Sequence, residues 1–262
     1  MNKFIEKDSL FSHSKNTYIA TINTKIIKQG FYIFNDKKIL LDNTNLLINS
    51  EIINEINYLQ KKEKQNNYKV SENILKKGTI QTIIDLRKEN PNSKIIALNF
   101  ASATSPGGGY INGSKAQEEC LCRCSTLYYT IKEQKDFYLY HRQNYTPMYS
   151  DKMIYSKNVQ IFRNEKLELL EKPIFCDFIT SPAVNRTKAL KIKISDEEIL
   201  KTMNLRIEKM INLMVQHNPD YIILGAWGCG VFGNDRKIIY KLFEEKINFY
   251  VPKEMKVIFS VL

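Results

Sequence analysis

The chain has 262 residues, 43% of them hydrophobic, which is enough to bury a sizeable core in one large domain or two small ones. No apolar run approaches the roughly 18–20 residues of a membrane helix, and the start MNKFIEKDSLF carries charges where a signal peptide needs its apolar region. We therefore expect a cytoplasmic protein. The 39 Lys and Arg against 28 Asp and Glu give a net charge of +11, which favours a polyanionic partner but also follows from a Lys-, Ile- and Asn-rich composition.

The first 75 residues are predicted to form a mostly helical extension packed on the core. The segment NTYIATINTKIIKQG (16–30) is typical of a helix that ends at Gly30, and FYIFNDKKILLD (31–42) indicates a hairpin or an extended segment. Because no linker or repeat divides the remainder, we assign residues 76–262 to a single further domain.

Strands and helices alternate after residue 76. GTIQTIIDLRKENPNS (78–93) predicts a short helix closed by an Asn-Pro turn, and KIIALNF (94–100) is typical of a strand buried on both faces. PIFCDFIT (173–180) and YIILGAW (221–227) have the same form, and Ser195 is a candidate N-cap for a helix over 196–217. This alternation predicts an α/β layered fold with a largely parallel central sheet.

Two of these strands lead into glycine-rich loops. ASATSPGGG (101–109) follows the first strand, and GCGVFGND (228–235) follows YIILGAW and precedes a helix in which Ile238, Ile239, Leu242 and Phe243 share a face. Glycines let backbone N–H groups approach an anion, and a helix start adds its positive dipole end. The two loops would meet at one sheet edge and cradle a diphosphate; each alone is more typical of a plain tight turn, and the pair is better evidence than either.

A helix follows the first loop and begins at the sequence Gln-Glu-Glu. Its apolar period predicts a single core-facing stripe, formed by Gln117, Cys120, Leu121, Cys124, Leu127, Tyr128 and Ile131. Glu118 and Glu119 then lie on the two flanks of that stripe, where they are candidates for acid/base chemistry or merely favoured by the helix dipole. Arg123 stands four residues after Glu119, a spacing that predicts an ion pair.

The five cysteines do not predict a disulfide framework. In a helix Cys122 points away from Cys120 and Cys124, and the three histidines, His13, His141 and His217, show no ligand spacing with them. We expect no metal site, and we expect Cys120 and Cys124 to be small core residues.

The segments LNFASATSPGGG, AQEECLCRCSTLY, MIYSKNVQIFR, FITSPAVNR and LGAWGCGVFGND together resemble the bacterial-type poly(ADP-ribose) glycohydrolase family, a catalytic offshoot of the macrodomains. The family pattern of three glycines, a spacer of six to eight residues and Gln-Glu-Glu is matched by Gly107–Gly109 and Gln117–Glu119. The resemblance covers about residues 80–262.

The resemblance implies a three-layer α/β/α macrodomain-like fold with a mixed central sheet and an N-terminal mostly helical extension. It implies that Glu119 is the acid/base residue and that Glu118 holds the ribose hydroxyls beside the scissile bond. Asn99 would contact the distal ribose, and Phe232 would pack against the same ribose. The substrate-binding set implied in this way is Asn99, Gly107, Gly108, Gly109, Gln117, Gly228, Cys229, Gly230, Val231, Phe232 and Gly233.

The implied activity is hydrolysis of the ribose–ribose O-glycosidic bonds of poly(ADP-ribose), releasing ADP-ribose from chain ends without a cofactor or metal. The expected partners are poly(ADP-ribose) or ADP-ribosylated proteins, with no direct nucleic-acid binding, no membrane and a monomeric state. Two other activities fit the same loops: a non-catalytic ADP-ribose reader, and a hydrolase of single ADP-ribose groups on proteins. A nucleic-acid-binding protein is suggested only by the charge and by Tyr-rich FYLYHRQNYTPMYS (137–150).

Overall fold

The computed structural model describes residues 3–42, 49–61 and 66–262. Its main sheet has seven strands in the order β3-β6-β7-β5-β8-β9-β4. These strands are β3 (Ser50–Ile53), β4 (Ile74–Leu75), β5 (Ile95–Phe100), β6 (Met153–Arg163), β7 (Leu169–Ser181), β8 (Tyr221–Leu224) and β9 (Lys256–Ser260). The sheet is mixed, as the resemblance implies: β7, β5, β8, β9 and β4 are parallel, whereas β6 is antiparallel to both β3 and β7.

Helices cover both faces of this sheet. They are α1 (Lys3–Gln29), α2 (Thr79–Glu89), α3 (Gln117–Cys124), α4 (Leu127–Ile131), α5 (Lys135–Gln143), α6 (Arg186–Lys191), α7 (Asp196–Gln216) and α8 (Arg236–Tyr250). Successive residues of β5 point to opposite faces. Ile96 and Leu98 pack into the core shared with α7 and α8, and Ile95 and Ala97 into the core shared with α2 and α3. The three-layer prediction is therefore confirmed.

The N-terminal region contains the predicted helix and hairpin. Helix α1 is followed by Gly30 in the left-handed region at φ 77°, and β1 (Phe31–Phe34) pairs with β2 (Lys37–Leu40) in an antiparallel hairpin. Two later segments differ from a helical extension, because β3 and β4 join the seven-stranded sheet. Residues 43–48 and 62–65 of the predicted extension lie outside the described residues, and the boundary at residue 76 stays a prediction.

The expected single helix through Ile131 is wrong. Helix α3 ends at Cys124, Ser125 is extended at φ −146° and ψ 179°, and α4 starts at Leu127. The Ser125 hydroxyl donates to the Leu121 carbonyl and accepts from the Leu127 N–H, so it satisfies groups freed by the break. In α8, Ile239 and Phe243 are buried, whereas Ile238 is 47% exposed, so the predicted four-residue face is only partly buried.

Candidate active site

Both glycine-rich loops lie at one edge of the sheet. The first glycine loop (residues 101–116) follows β5, and the second glycine loop (residues 225–235) follows β8. Because β5 and β8 are adjacent and parallel, their carboxyl ends open at the same edge, the usual ligand position in α/β sheets. This arrangement agrees with the two-loop prediction.

Gln117 attaches the start of α3 to the sheet. Its side-chain oxygen accepts from the Phe100 N–H at 2.9 Å, and its amide nitrogen donates to the Leu98 carbonyl at 2.8 Å and to Thr79 Oγ1 at 3.2 Å. Both polar atoms are thus occupied within the protein. Gln117 therefore positions the two glutamates that follow, and its predicted contact with substrate stays a prediction.

The two glutamates are buried rather than placed on solvated flanks. Glu118 is 3% exposed and Glu119 is 7% exposed, because the first glycine loop folds over the start of α3. Glu119 Oε1 accepts from the Gly109 N–H at 2.8 Å. Glu119 Oε2 is buried and has no hydrogen-bond partner among the described residues. One oxygen of Glu119 is therefore fixed by the loop while the other is available for chemistry.

Glu118 is held from both sides. Its Oε2 accepts from the Ser102 N–H at 2.8 Å, and its Oε1 accepts from Asn99 Nδ2 at 3.2 Å. Burial raises the pKa of Glu118 to about 8; the Ser102 and Asn99 donors oppose this rise, and the charge of Glu119 adds to it. Glu118 therefore keeps its proton at neutral pH in the free protein.

Asn99 lies at the end of β5 and is completely buried. Besides Glu118, its Nδ2 donates to Thr180 Oγ1 on the adjacent strand β7 at 3.1 Å. Its Oδ1 lacks a hydrogen-bond partner within the part of the chain that the structure describes. Asn99 thus orients Glu118 and keeps one acceptor for a ligand hydroxyl, which is compatible with the implied ribose contact.

Gly108 is required by the close approach of this loop to the carboxylates. Gly107 and Gly108 have φ angles of 68° and 57°, in the left-handed region that glycine adopts without steric cost. A Cβ on Gly108 would lie 2.5 Å from Glu119 Oε1 and 3.1 Å from Glu118 Oε2. The loop can therefore touch both carboxylates only because position 108 has no side chain.

The second glycine loop is shaped by Asn234. Its Nδ2 donates to the Gly228 carbonyl at 3.0 Å and to the Val184 carbonyl at 2.9 Å, which ties the loop to the segment after β7. Gly228 and Gly233 have φ angles of 73° and 72°. Cys229 and Phe232 are half-buried, Gly230 is exposed, and Val231 is 91% exposed at the loop tip.

The extension contributes to the site through two asparagines that no sequence pattern indicated. On α1, Asn16 Nδ2 donates to the Gly113 carbonyl of the first glycine loop at 3.0 Å. Asn23 Nδ2 donates to the Arg123 carbonyl at 2.7 Å, and Asn23 Oδ1 accepts from Arg163 Nε at 2.9 Å. Helix α1 thus holds both the loop and the carboxyl end of α3. Each of these hydrogen bonds joins residues that are about 100 positions apart in the chain.

The cysteine and Arg123 predictions need correction. Cys122 is fully buried, as is Cys124, whereas Cys120 is only partly buried, because α3 is enclosed on more than one face. Arg123 NH1 donates to the Ser114 carbonyl at 2.5 Å, and no ion pair joins Arg123 to Glu119 within the described ranges. Arg123 therefore braces the first glycine loop instead of neutralising Glu119.

The described residues contain neither a cluster of metal ligands nor a membrane-spanning helix. No group of three or more His, Cys, Asp and Glu side chains is arranged to hold a metal ion there. None of the helices in the described ranges is sufficiently long and apolar to span a membrane.

A family model and several solved structures match the chain. The model described as "Microbial-type PARG, catalytic domain" matches residues 20–164, which include the first glycine loop and both glutamates. No curated protein sequence matches significantly.

Poly(ADP-ribose) glycohydrolases from two bacteria are among the solved structures that match. The chain is similar to poly(ADP-ribose) glycohydrolase (PARG) from Thermomonospora curvata, with 28% identity, 95% of this chain and 93% of that chain covered, and a TM-score of 0.82. A structure of that protein bound to the inhibitor ADP-HPD gives a TM-score of 0.80 with the same identity and coverage. PARG from Deinococcus radiodurans in complex with ADP-ribose is 34% identical over 72% of this chain and 76% of that chain, with a TM-score of 0.64.

Proposed function

We infer the activity of this chain from its family: the chain belongs to the microbial-type PARG catalytic domains. It hydrolyses the ribose–ribose O-glycosidic bonds of poly(ADP-ribose) and releases ADP-ribose. The observation that supports this activity most directly is the buried Glu118–Glu119 pair under the first glycine loop, in which Glu119 keeps one unpartnered oxygen. A reader that only binds ADP-ribose needs no such carboxyl pair beside the scissile bond.

The geometry favours Glu119 as the proton donor, although the raised pKa belongs to Glu118. Each oxygen of Glu118 already accepts from an N–H donor, so neither presents a proton freely to a substrate atom. Ribose hydroxyls that donate to Glu118 would further favour its ionised form. Glu119 Oε2 is unoccupied by the described residues, so this oxygen is placed to exchange a proton with a substrate atom.

We propose the following reaction. Glu119 donates its proton to the ribose oxygen that leaves, and the bond from that oxygen to the anomeric carbon of the terminal unit breaks. The cationic centre that develops is stabilised by the adjacent diphosphate of the substrate and by the ionised Glu118. A water molecule then attacks the anomeric carbon and gives a proton to Glu119, which restores the acid for the next cycle.

The two glycine loops are proposed to bind the diphosphate of the terminal unit through backbone N–H groups. Gly107–Gly109 and the residues from Gly228 to Gly233 contribute these groups, with Phe232 against the distal ribose and Asn99 near its hydroxyls. Cleavage from chain ends follows if this site accepts only a terminal unit.

Incubation with automodified polymer and with a protein carrying single ADP-ribose groups, followed by identification of the released species, tests the activity. Release of ADP-ribose from polymer is expected; failure to release it from either substrate would contradict the proposed function.

The diphosphate site predicts that the protein binds ADP-ribose more tightly than AMP and that Gly230→Val weakens ADP-ribose binding. A Cβ at Gly230 would meet no described atom within 4 Å, so valine fits the fold but occupies space beside the loop. Loss of even one charge-assisted hydrogen bond, roughly 1.5–3 kcal/mol, would weaken ADP-ribose binding by about tenfold or more. Calorimetry with ADP-ribose and AMP on the wild type and on Gly230→Val measures both effects. Equal affinities of the two ligands, or an unchanged variant, would contradict the two-loop site.

Glu118→Gln is expected to lower both ADP-ribose affinity and hydrolysis, because the neutral amide accepts hydrogen bonds from ribose hydroxyls less strongly.

Glu118→Gln should also change the pH dependence of stability. Between the ordinary pKa of 4.5 and the raised value of about 8, the folded protein keeps a proton that the unfolded chain has lost, so this group lowers stability as pH rises. As the pH rises from 4.5 to about 8, the Tm of the variant should therefore fall less than the Tm of the wild type. Parallel pH profiles of Tm in both proteins would contradict the assignment of the raised pKa to Glu118.

We also propose that the protein acts as a monomer in the cytoplasm. All five cysteines are free thiols, and Cys122, Cys124 and Cys176 are buried, a state that a reducing compartment preserves. Light scattering after size-exclusion chromatography measures the oligomeric state.

A further inference from the structure

A row of three aromatic rings extends from the second glycine loop and ends at a lysine. The Phe232 and Tyr149 ring centroids are 6.1 Å apart, and those of Tyr149 and Tyr145 are 6.3 Å apart. Lys188 Nζ on α6 lies 5.7 Å from the Tyr145 ring centroid and donates to the Tyr145 hydroxyl at 3.2 Å. Tyr145 is 52% exposed and Lys188 is exposed, so the far end of the row is open to solvent.

The segment that carries the two tyrosines is held firmly. The fully buried Arg206 donates to the Met148 carbonyl at 2.9 Å, to the Pro182 carbonyl at 2.9 Å and to Asp151 Oδ1 at 2.7 Å. Tyr149 has a φ of 54°, in the left-handed region that a tyrosine adopts only at a cost. Such a conformation persists where the surroundings enforce it, and it is enriched at ligand-binding positions.

The same segment connects the two glycine loops. Arg142, at the end of α5, donates from NH1 to the Thr104 carbonyl of the first glycine loop at 2.9 Å. Three residues later Tyr145 begins the aromatic row, and Tyr149 then contacts Phe232 in the second glycine loop. Asn185 N–H donates to the Pro147 carbonyl at 2.8 Å, and Thr187 N–H donates to the Phe232 carbonyl at 3.1 Å. The row therefore starts at Phe232 in the second glycine loop and ends at the exposed Tyr145.

We propose that Tyr145, Tyr149 and Lys188 form a subsite for the second ADP-ribose unit of the polymer, the unit that leaves when the glycosidic bond is cleaved. The adenine of that unit stacks on the exposed Tyr145 ring, and its diphosphate pairs with Lys188. The proposal rests on the proposed function and adds to it a binding site outside the terminal ADP-ribose pocket.

The chemistry of the polymer places the second unit there. The scissile bond joins the distal ribose of the terminal unit to the adenosine ribose of the next, so the leaving group begins where the distal ribose ends. With Phe232 against the distal ribose, the adenosine ribose of the second unit lies beside Phe232 and Tyr149. Its adenine then reaches Tyr145 along the row. Neighbouring rings of the row are already in contact, so a base stacks on the outside of the row and is not inserted between its members.

Stacking on a tyrosine combined with one cation is also the usual way in which proteins bind single nucleotides without reading their sequence. One ribose separates adenine from the diphosphate of the same unit. A base on Tyr145 therefore brings its phosphates within reach of Lys188, whose Nζ on a flexible side chain lies 5.7 Å from the ring centroid.

The test compares a two-unit ADP-ribose oligomer with free ADP-ribose, since only the oligomer can occupy the second subsite. Binding is measured in the Glu119→Gln background, in which the oligomer is expected to survive. Tyr145→Ala should weaken oligomer binding by about 5- to 30-fold, the typical worth of one base stack. Lys188→Ala should also weaken it and reduce the slope of log Kd against log salt by about 0.7. The Kd of free ADP-ribose should stay within twofold in both variants.

Tyr145→Phe keeps the ring and should retain most of the oligomer affinity, which separates stacking from the hydroxyl contact with Lys188. Tyr18→Ala on α1 and Lys88→Ala on α2 are matched controls, because both side chains are exposed and lie on other elements. In the Glu119-containing enzyme, Tyr145→Ala should raise KM for polymer with little change in kcat.

Equal affinities for oligomer and free ADP-ribose, or equal losses of both in Tyr145→Ala, would overturn the subsite. These outcomes differ from a failure of the proposed function, which is the absence of ADP-ribose release from polymer by the wild type. A preference for the oligomer is measured without turnover, and thus supports or overturns the subsite even in that case.

Discussion

Glu119→Gln is expected to reduce polymer hydrolysis by roughly 10²- to 10⁴-fold or more, the usual contribution of a positioned acid/base group. The substitution keeps the shape of the side chain, and the amide oxygen can still accept from the Gly109 N–H as Glu119 Oε1 does at 2.8 Å. What it removes is the ability of the free Oε2 position to give and recover a proton. Single-turnover release of ADP-ribose from polymer measures the loss, because this experiment excludes product dissociation from the rate.

The affinity for ADP-ribose provides the control for this prediction. Since Glu119 acts on the leaving oxygen, which free ADP-ribose lacks, calorimetry should give nearly the same Kd for the variant and the wild type. Glu118→Gln should differ by weakening both binding and rate. Hydrolysis by Glu119→Gln at the wild-type rate would show that the catalytic assignment is wrong. If the wild type binds ADP-ribose but releases none from polymer, the protein is a reader.

Much of the site's position could be predicted from the sequence because it depends on local order along the chain. The strand KIIALNF, the glycine loop and the Gln-Glu-Glu helix start follow one another directly, and a parallel sheet brings the second glycine loop to the same edge. Periodicity also predicted α2, and Ser195 caps α7 by accepting from the Glu198 N–H at 3.1 Å. These features need no knowledge of distant contacts.

The environment of the glutamates could not be predicted in that way. An apolar period reports one buried face of a helix, whereas α3 is enclosed also by the loop that precedes it and by α1. The fixing of Glu118 by Asn99 and the Ser102 N–H, and of the Arg123 carbonyl by Asn23, depends on tertiary contacts with no sequence pattern. For the same reason the Glu119–Arg123 spacing suggested an ion pair that the fold replaces with a contact from Arg123 to Ser114.

Gly108→Ala is expected to lower hydrolysis by about 100-fold, even though no catalytic atom is changed. The added Cβ would lie 2.5 Å from Glu119 Oε1, so the carboxylate or the loop must shift by about 1 Å to restore normal contact. A misplacement of this size at a reacting group can cost about 100-fold in rate. The φ of 57° adds backbone strain of roughly 1–2 kcal/mol, which should also lower Tm by several degrees.

Gly30→Ala is the control that separates the effect of backbone strain from the effect of displacing Glu119. Gly30 ends α1 with a φ of 77°, so alanine there meets a similar left-handed backbone penalty away from the glutamates. It should lower Tm without lowering the rate of hydrolysis. If Gly108→Ala and Gly30→Ala lose Tm alike and both hydrolyse polymer at the wild-type rate, the close approach of Gly108 to Glu119 has no part in catalysis.

A double variant identifies the group through which Gly108 acts. If alanine at position 108 works by displacing Glu119, the rate lost in Gly108→Ala depends on the presence of the acid. Gly108→Ala combined with Glu119→Gln should then be scarcely slower than Glu119→Gln alone, because residues in direct contact show non-additive effects. Additive losses would instead show that the loop acts separately from the acid, through the diphosphate that its N–H groups are proposed to bind. Glu118 Oε2, at 3.1 Å from the same Cβ, would be displaced less, so Gly108→Ala combined with Glu118→Gln should be closer to additive.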